Sequence, residues 1–207
     1  QQRQPAIVMV GPTGSGKTPL GEWLQHHGLW GRRCHHFDFG QQLRDAVRTE
    51  SLPPAETRFL QGVLERGELL DSEHFHLALK ILDGFIAQRQ PSANDLLVMN
   101  GLPRHVGQAE ALRSRLETVA VVWLQCDAAT VTERLRRNSG GDHAGRADDA
   151  PELVERKLRL FTERTLPLIE YYRRHGVPVI EVAVGLWTQP GEIAAQLSAQ
   201  WHKVGSS

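Results

Sequence analysis

Apolar residues in this chain come in short unbroken blocks. Ala6-Ile7-Val8-Met9-Val10 is the first, Leu96-Leu97-Val98-Met99 the second, and Val119 to Gln125 the third. A block with little polar alternation marks a strand buried on both faces, so each predicts a central strand of a covered sheet. Cys34 to Phe37 and Val177 to Val182 read as two further strands. Helical spacing fills the gaps, over Pro19–His27, Gln108–Leu116, Thr130–Arg137, Pro151–Arg174 and Pro190–Trp201. Pro151 suits a first helical turn, Pro167 predicts a bend, and Gly176 an end. From about Gln41 to Gln88 no strand is visible. Three or four short helices are expected there, broken near Pro53-Pro54 and Gly67, with Asp71 as a cap.

Strands alternating with helices imply right-handed crossovers and a three-layer α/β fold around a parallel sheet of about five strands. Ligands of such sheets bind beyond the carboxyl ends of the strands. The chain reads as one domain over residues 1–207, with a helical insertion at 41–90 and a short glycine-rich insertion at 136–149. No internal repeat is visible.

Composition narrows the class. With 207 residues, 24 basic against 24 acidic side chains and a pI near 7.3, the chain lacks the basic excess of a general nucleic-acid binder. No apolar run approaches the ~18 residues of a membrane span. Cys34 and Cys126 have no metal-ligand spacing and read as reduced thiols. The first residues, Gln1-Gln2-Arg3-Gln4-Pro5, have no apolar signal core, so a cytoplasmic protein is expected, with a monomer as the default.

"GPTGSGKT", Gly11 to Thr18, follows a strand, opens a helix and fits G-x-x-x-x-G-K-[ST]. Gly11, Gly14 and Gly16, with Thr13 and Ser15 between them, let backbone N–H groups turn toward phosphate oxygens, and the helix N-terminus adds partial positive charge. Lys17 is expected to reach the β- and γ-phosphates of a nucleoside triphosphate, and Thr18 to offer its hydroxyl to Mg²⁺. At the second apolar block, "LLVMNGLPRHVGQAEAL" ends a buried strand on Asn100 and a tight turn, Gly101-Leu102-Pro103-Arg104. An arginine in that position is poorly explained as surface decoration.

Three stretches stand in the order seen in adenylate kinases: "HFDFGQQLRDAV", "LLVMNGLPRHVGQAEAL" and "GRADDAPELVERKLRLFTERTLPLIEYYRRHG". The chain resembles that family of nucleoside monophosphate kinases, in a short-lid form, over about residues 6 to 200. The resemblance implies that Arg44 and Arg104 clamp the acceptor's phosphate, within motifs that contain Gly40 and Gly101. It sets Gln108 and the backbone of Leu70 against the acceptor base. Gly185 would lie beside the donor adenine, Arg134 would flank the donor, and Arg146 would bridge donor and acceptor phosphates. The implied reaction is ATP plus AMP giving two ADP, with Mg²⁺. Four positions depart from the pattern. Asn100 replaces an aspartate that orients water on Mg²⁺, Phe39 a small threonine beside the acceptor, Gln41 an acidic residue, and Lys157 a second lid arginine. An arginine is also replaced at Asn138. Two alternatives follow: a kinase of the same fold for a phosphorylated acceptor other than AMP, favoured by Phe39, or a weakly active ATP-binding sensor, favoured by Asn100 and Lys157. Asp148 and Asp149 are expected to pair at a hinge. His35, His36, His74 and His76 are expected to be hydrogen-bonded or solvated.

Overall fold

The computed structural model describes residues 3–66, 68–138 and 151–204. Five strands form one parallel sheet: β1 (Gln4–Val10), β2 (Cys34–Asp38), β3 (Leu96–Asn100), β4 (Leu116–Gln125) and β5 (Val179–Ala183), in the order β2-β3-β1-β4-β5. The three apolar blocks are the three inner strands. Side chains of β1 alternate between two cores, as a pleated strand requires. Ala6, Val8 and Val10 face one apolar cluster, and Ile7 and Met9 face the other. The second cluster is closed by α1 (Lys17–His27) and α9 (Pro190–Val204), through Leu20, Leu24, Ile193 and Leu197. The first is closed largely by α2 (Phe39–Arg48), α3 (Pro54–Arg66) and α4 (Phe75–Arg89), the three helices of the strandless stretch.

Some boundaries differ from the sequence reading, for local reasons. The helix expected at 108–116 is α5, Val106–Leu112, because Leu116 belongs to β4 and pairs with Gln4. Glu117 and Thr118 hide the start of that strand from a search for apolar runs. Asp71 does not cap α4 itself. Its carboxylate accepts from the backbone N–H of His74, one residue before the helix, and so shapes the turn that enters it. α6 spans Ala128–Arg137, capped by Asp127. The long C-terminal helix is divided into α7 (Pro151–Leu160), a π-helical turn (Phe161–Thr165) and α8 (Pro167–Arg174). Pro167 has no N–H to give, and Leu166 N–H reaches back five residues to the Phe161 carbonyl at 2.8 Å. The expected bend is therefore a π-turn.

Two contacts fix β2, the edge strand on which part of the site is built. His35 Nε2 lies 2.9 Å from Asp95 Oδ2, and Ser92 donates to the same carboxylate through both its N–H and its hydroxyl. Burial works to raise the Asp95 carboxyl, but the hydrogen bonds from His35 and Ser92 outweigh it and pull it down to about 2. The second contact is with α1. The ring of His36 occupies the space where a Cβ on Gly21 would lie, 2.3 Å away. Glycine inside a helix costs about 1 kcal/mol against alanine, and here it lets α1 close onto β2.

Gly21→Ala should therefore destabilise the fold by about 1–3 kcal/mol despite its better helix propensity, because the half-buried His36 ring must be displaced; urea unfolding checks this. The depressed Asp95 carboxyl stabilises the fold fully above the ordinary carboxylate range, and that contribution is lost as pH falls through about 4 toward 2. Asp95→Asn should thus lower the melting temperature at pH 7, and the gap to the unmodified protein should close as melting is followed down to pH 2.

Candidate active site

The loop between β1 and α1 sits where the sheet's connections diverge, one chain path leading toward β2 and the other toward β4. Gly14 and Gly16 have φ of 75° and 94°, in the left-handed region that admits glycine most easily. Lys17 Nζ donates to the carbonyls of Gly11 and Pro12 at 2.7 and 2.8 Å, so the ammonium lies across the mouth of the loop. Ser15 is fully buried under it, and a Cβ on Gly11 would lie 2.6 Å from the Ser15 hydroxyl.

Arg134 on α6 is 4% exposed, unusual for an arginine. Its guanidinium donates to the carbonyl of Gly14 at 2.8 Å, and to those of Gly185 and Leu186 at 2.8 and 3.2 Å. The sequence reading set Arg134 and Gly185 around the donor nucleotide. The structure brings them into direct contact and ties both to the phosphate loop.

One cleft runs from that loop to the helical block. Thr13, Gly14, Gly16, Lys17 and Thr18 line one side, and Phe39, Gly40, Arg44, Leu70, Gly101, Arg104 and Gln108 the other. Lys157, on α7, also faces it. Arg44 is steadied by the side-chain carbonyl of Gln41 at 3.2 Å. Phe39 is 7% exposed and packs with Phe37, so it forms a fixed apolar wall of the cleft. Gln108 is buried. Its Oε1 accepts from Arg104 N–H at 2.7 Å, and its Nε2 donates to the Leu70 carbonyl at 3.0 Å. The two groups expected to meet the acceptor base are thus hydrogen-bonded to each other. Gly101 has φ of 85°, which turns the chain after β3 and delivers Arg104 to the cleft.

Two residues that the sequence reading did not single out belong here. Thr165, in the π-turn, donates to the Arg104 carbonyl at 2.6 Å and fixes that backbone from outside. Asp38, at the end of β2, lies directly opposite Asn100 in the parallel register. Thr18 Oγ1 donates to Asp38 Oδ2 at 3.0 Å, while Asn100 Nδ2 faces Thr18 Oγ1 at 3.0 Å and Asp38 Oδ2 at 3.2 Å. A carboxylate immediately before the Phe39-Gly40 pair was the available signal, but its partner is 62 residues away. His36 Nε2 is 3.3 Å from the same amide, and burial pushes this imidazole below its ordinary range, with Asp38 opposing.

Mg²⁺ takes oxygen ligands and is commonly held by one or two protein groups together with substrate phosphates. The adjacent Thr18 hydroxyl and Asp38 carboxylate are oxygen donors beside the phosphate loop and fit that requirement. Among the described residues, no cluster of three or more His, Cys, Asp or Glu side chains could hold a metal. Arg146, Asp148 and Asp149 lie outside the described residues, as does most of the 136–149 segment. Cys34 and Cys126 are free thiols; burial pushes Cys34 up to about 12 and raises Cys126, so neither is a ready nucleophile.

A covered parallel sheet with this glycine loop, and an arginine-lined cleft facing it, defines a nucleotide-binding protein of the P-loop class. A family model described as adenylate kinase matches residues 9–177. The adenylate kinase of Thermus thermophilus is 31% identical over 200 residues, covering 94% of this chain and 95% of that protein. Those of Parvibaculum lavamentivorans and Synechococcus sp. strain CC9311 are 32% and 33% identical over 179 and 177 residues, covering 82% and 83% of this chain and 80% and 86% of theirs. The chain belongs to the adenylate kinase family and is a nucleoside monophosphate kinase.

The buried Arg134 contact makes a prediction. Arg134→Met removes the donor from three carbonyls on two loops, and should cost about 2–4 kcal/mol of stability and weaken ATP binding. Thermal melting and ATP titration calorimetry check the two effects; an unchanged melting temperature would contradict the role assigned to the contact.

Proposed function

We propose that the protein transfers the γ-phosphate of ATP to AMP, giving two ADP. The observation that carries this is the single cleft in which Lys17 and Thr18 face Arg44 and Arg104, with the Gln108–Leu70 pair at the acceptor end. Transfer forms a bond between an acceptor phosphate oxygen and the γ-phosphorus and breaks the bond to the β–γ bridging oxygen. Its charge stays on phosphate oxygens, so positioning and neutralisation do most of the work. Lys17 leaves its loop carbonyls to follow the transferred phosphate. Arg44 and Arg104 hold the acceptor's phosphate in line, using the planar two-pronged geometry of guanidinium. Arg146 and Lys157 neutralise the group in transit. A bound Mg²⁺, held at Thr18, supplies charge neutralisation on the donor's phosphates.

The acceptor base follows from hydrogen-bond polarity. The Leu70 carbonyl can only accept, so it calls for a base with an exocyclic amino group. Adenine offers N6–H₂ to it, with N1 accepting from Gln108. Guanine and uracil would present a carbonyl oxygen to a carbonyl oxygen. Cytosine shares the amino group, but its single ring covers less of the apolar wall built by Phe39, Leu43 and Val63. Work on free nucleotides in the cytoplasm belongs to the same reading, by likeness to the adenylate kinases.

A coupled assay of ADP formation from Mg-ATP over AMP, CMP, UMP, GMP and dTMP tests the reading. Turnover should be fastest with AMP, followed distantly by CMP. Silence with every monophosphate, or a preference for GMP or UMP, would overturn it. Gln108→Leu should raise the KM for AMP by about tenfold or more, with little change in that for ATP.

A further inference from the structure

We propose that Asp38 supplies the metal-orienting charge that the resemblance to adenylate kinases leads one to expect at position 100, and that Asn100 is its complement rather than a defect. The proposal rests on the reading above that the loop binds a magnesium nucleotide. In the folded chain β2 and β3 end side by side in parallel, with Asp38 opposite Asn100, so a carboxylate on either strand end reaches the same place. Asp38 Oδ2 is within 3.0 Å of the Thr18 hydroxyl, the oxygen that a phosphate-loop metal is expected to use. Asn100 turns its amide nitrogen toward that carboxylate at 3.2 Å. This orientation is the one its neighbours dictate, since an amide oxygen there would face carboxylate oxygen. An aspartate at 100 would set two carboxylates within hydrogen-bond distance, and one would have to hold a proton or share a cation.

The electrostatics point the same way. Among the described residues, no lysine or arginine forms an ion pair with Asp38. A partly buried carboxylate that no described lysine or arginine pairs with, beside the loop that receives a triphosphate, would repel that ligand. A divalent cation between them turns the repulsion into attraction. Asp38 also caps α2, accepting from Gln41 N–H through Oδ1 at 3.0 Å. That structural role uses the other oxygen and needs no charge, because asparagine and serine cap about as well as aspartate. Oδ2 is the atom the cap does not explain.

The test measures how much a divalent cation tightens ATP binding. ATP affinity of the full chain is taken by calorimetry with Mg²⁺ and with EDTA, and Mn²⁺ affinity of the ATP complex by electron paramagnetic resonance. Asp38→Asn keeps the cap and should leave metal-free ATP binding in place, or strengthen it. It should lower Mn²⁺ affinity by about tenfold to a hundredfold and remove most of the Mg²⁺-dependent tightening. The exchange variant Asp38→Asn/Asn100→Asp returns the carboxylate to β3 and should recover both. Unchanged metal dependence in Asp38→Asn would overturn the proposal, as would a loss that the exchange variant does not repair. Should Asp38→Asn not fold, Asp38→Ser with and without Asn100→Asp decides on the same two readouts. Absence of ATP binding by the unmodified protein with Mg²⁺ as well as in EDTA would instead refute the nucleotide reading itself.

Discussion

Strand β1 ends in the middle of the sheet, with β3 hydrogen-bonded on one side and β4 on the other, so the chain leaving Val10 has no lateral escape. It must rise over the carboxyl edge and turn back at once into α1, whose Leu20 and Leu24 are fully buried against the sheet. That reversal demands left-handed backbone at Gly14 and Gly16, and a backbone so bent presents its N–H groups inward. The anion site is thus a consequence of how a central parallel strand is connected. The rest of the active edge is arranged around it. Arg134 braces the loop from α6, Thr18 opens α1 toward the ends of β2 and β3, and the turn at Gly101 brings Arg104 back over the same edge.

A donor and an acceptor together bring several negative charges into one cleft, yet the chain's formal net charge is zero. Charge is managed locally. Several exposed arginines are taken up by neighbouring acids, as in the pairs Arg48–Asp45, Arg136–Glu133 and Arg174–Glu170. Arg134, buried, is held by three backbone carbonyls in place of a carboxylate, which leaves it a net positive charge behind the loop. Carbonyl dipoles offset the cost of desolvating the guanidinium without cancelling its charge. The same logic separates Gln108 from the arginines beside it: a neutral amide tests hydrogen-bond polarity, whereas charge alone attracts any phosphate.

The elements legible in the sequence were those whose pattern is local. The inner strands are apolar on both faces, and a fixed spacing of glycines with Lys17 marks the phosphate loop. Arg104 stands out because a polar turn interrupts a buried run. What escaped depends on pairing. The start of β4 carries Glu117 and Thr118 and is a strand because Gln4 and Pro5 pair with Leu116 and Glu117, not because of its own composition. The π-turn is closed by Leu166 N–H, just before Pro167, reaching the Phe161 carbonyl, which helical spacing cannot register. Nothing in the spacing of α1 marks Gly21, whose missing Cβ leaves the space that the ring of His36 fills. Asp38 escaped for the same reason, since its meaning lies across a strand register with residue 100.

That last case bears on how a motif is compared with its family. Alignment compares positions along a chain, whereas a cation responds to oxygen atoms at points in space. In a parallel sheet, the final residues of neighbouring strands point their side chains into the same crevice, so one functional atom has at least two backbone positions from which it can be supplied. Thr18 meets both here, donating to Asp38 and accepting from Asn100. A carboxylate can move from β3 to β2 while the point it serves stays put, provided the vacated position becomes neutral and able to donate. Asparagine meets both conditions at nearly the size of aspartate. On the role proposed for Asp38, an asparagine at position 100 is no loss, because with its neighbour included it is half of an exchange.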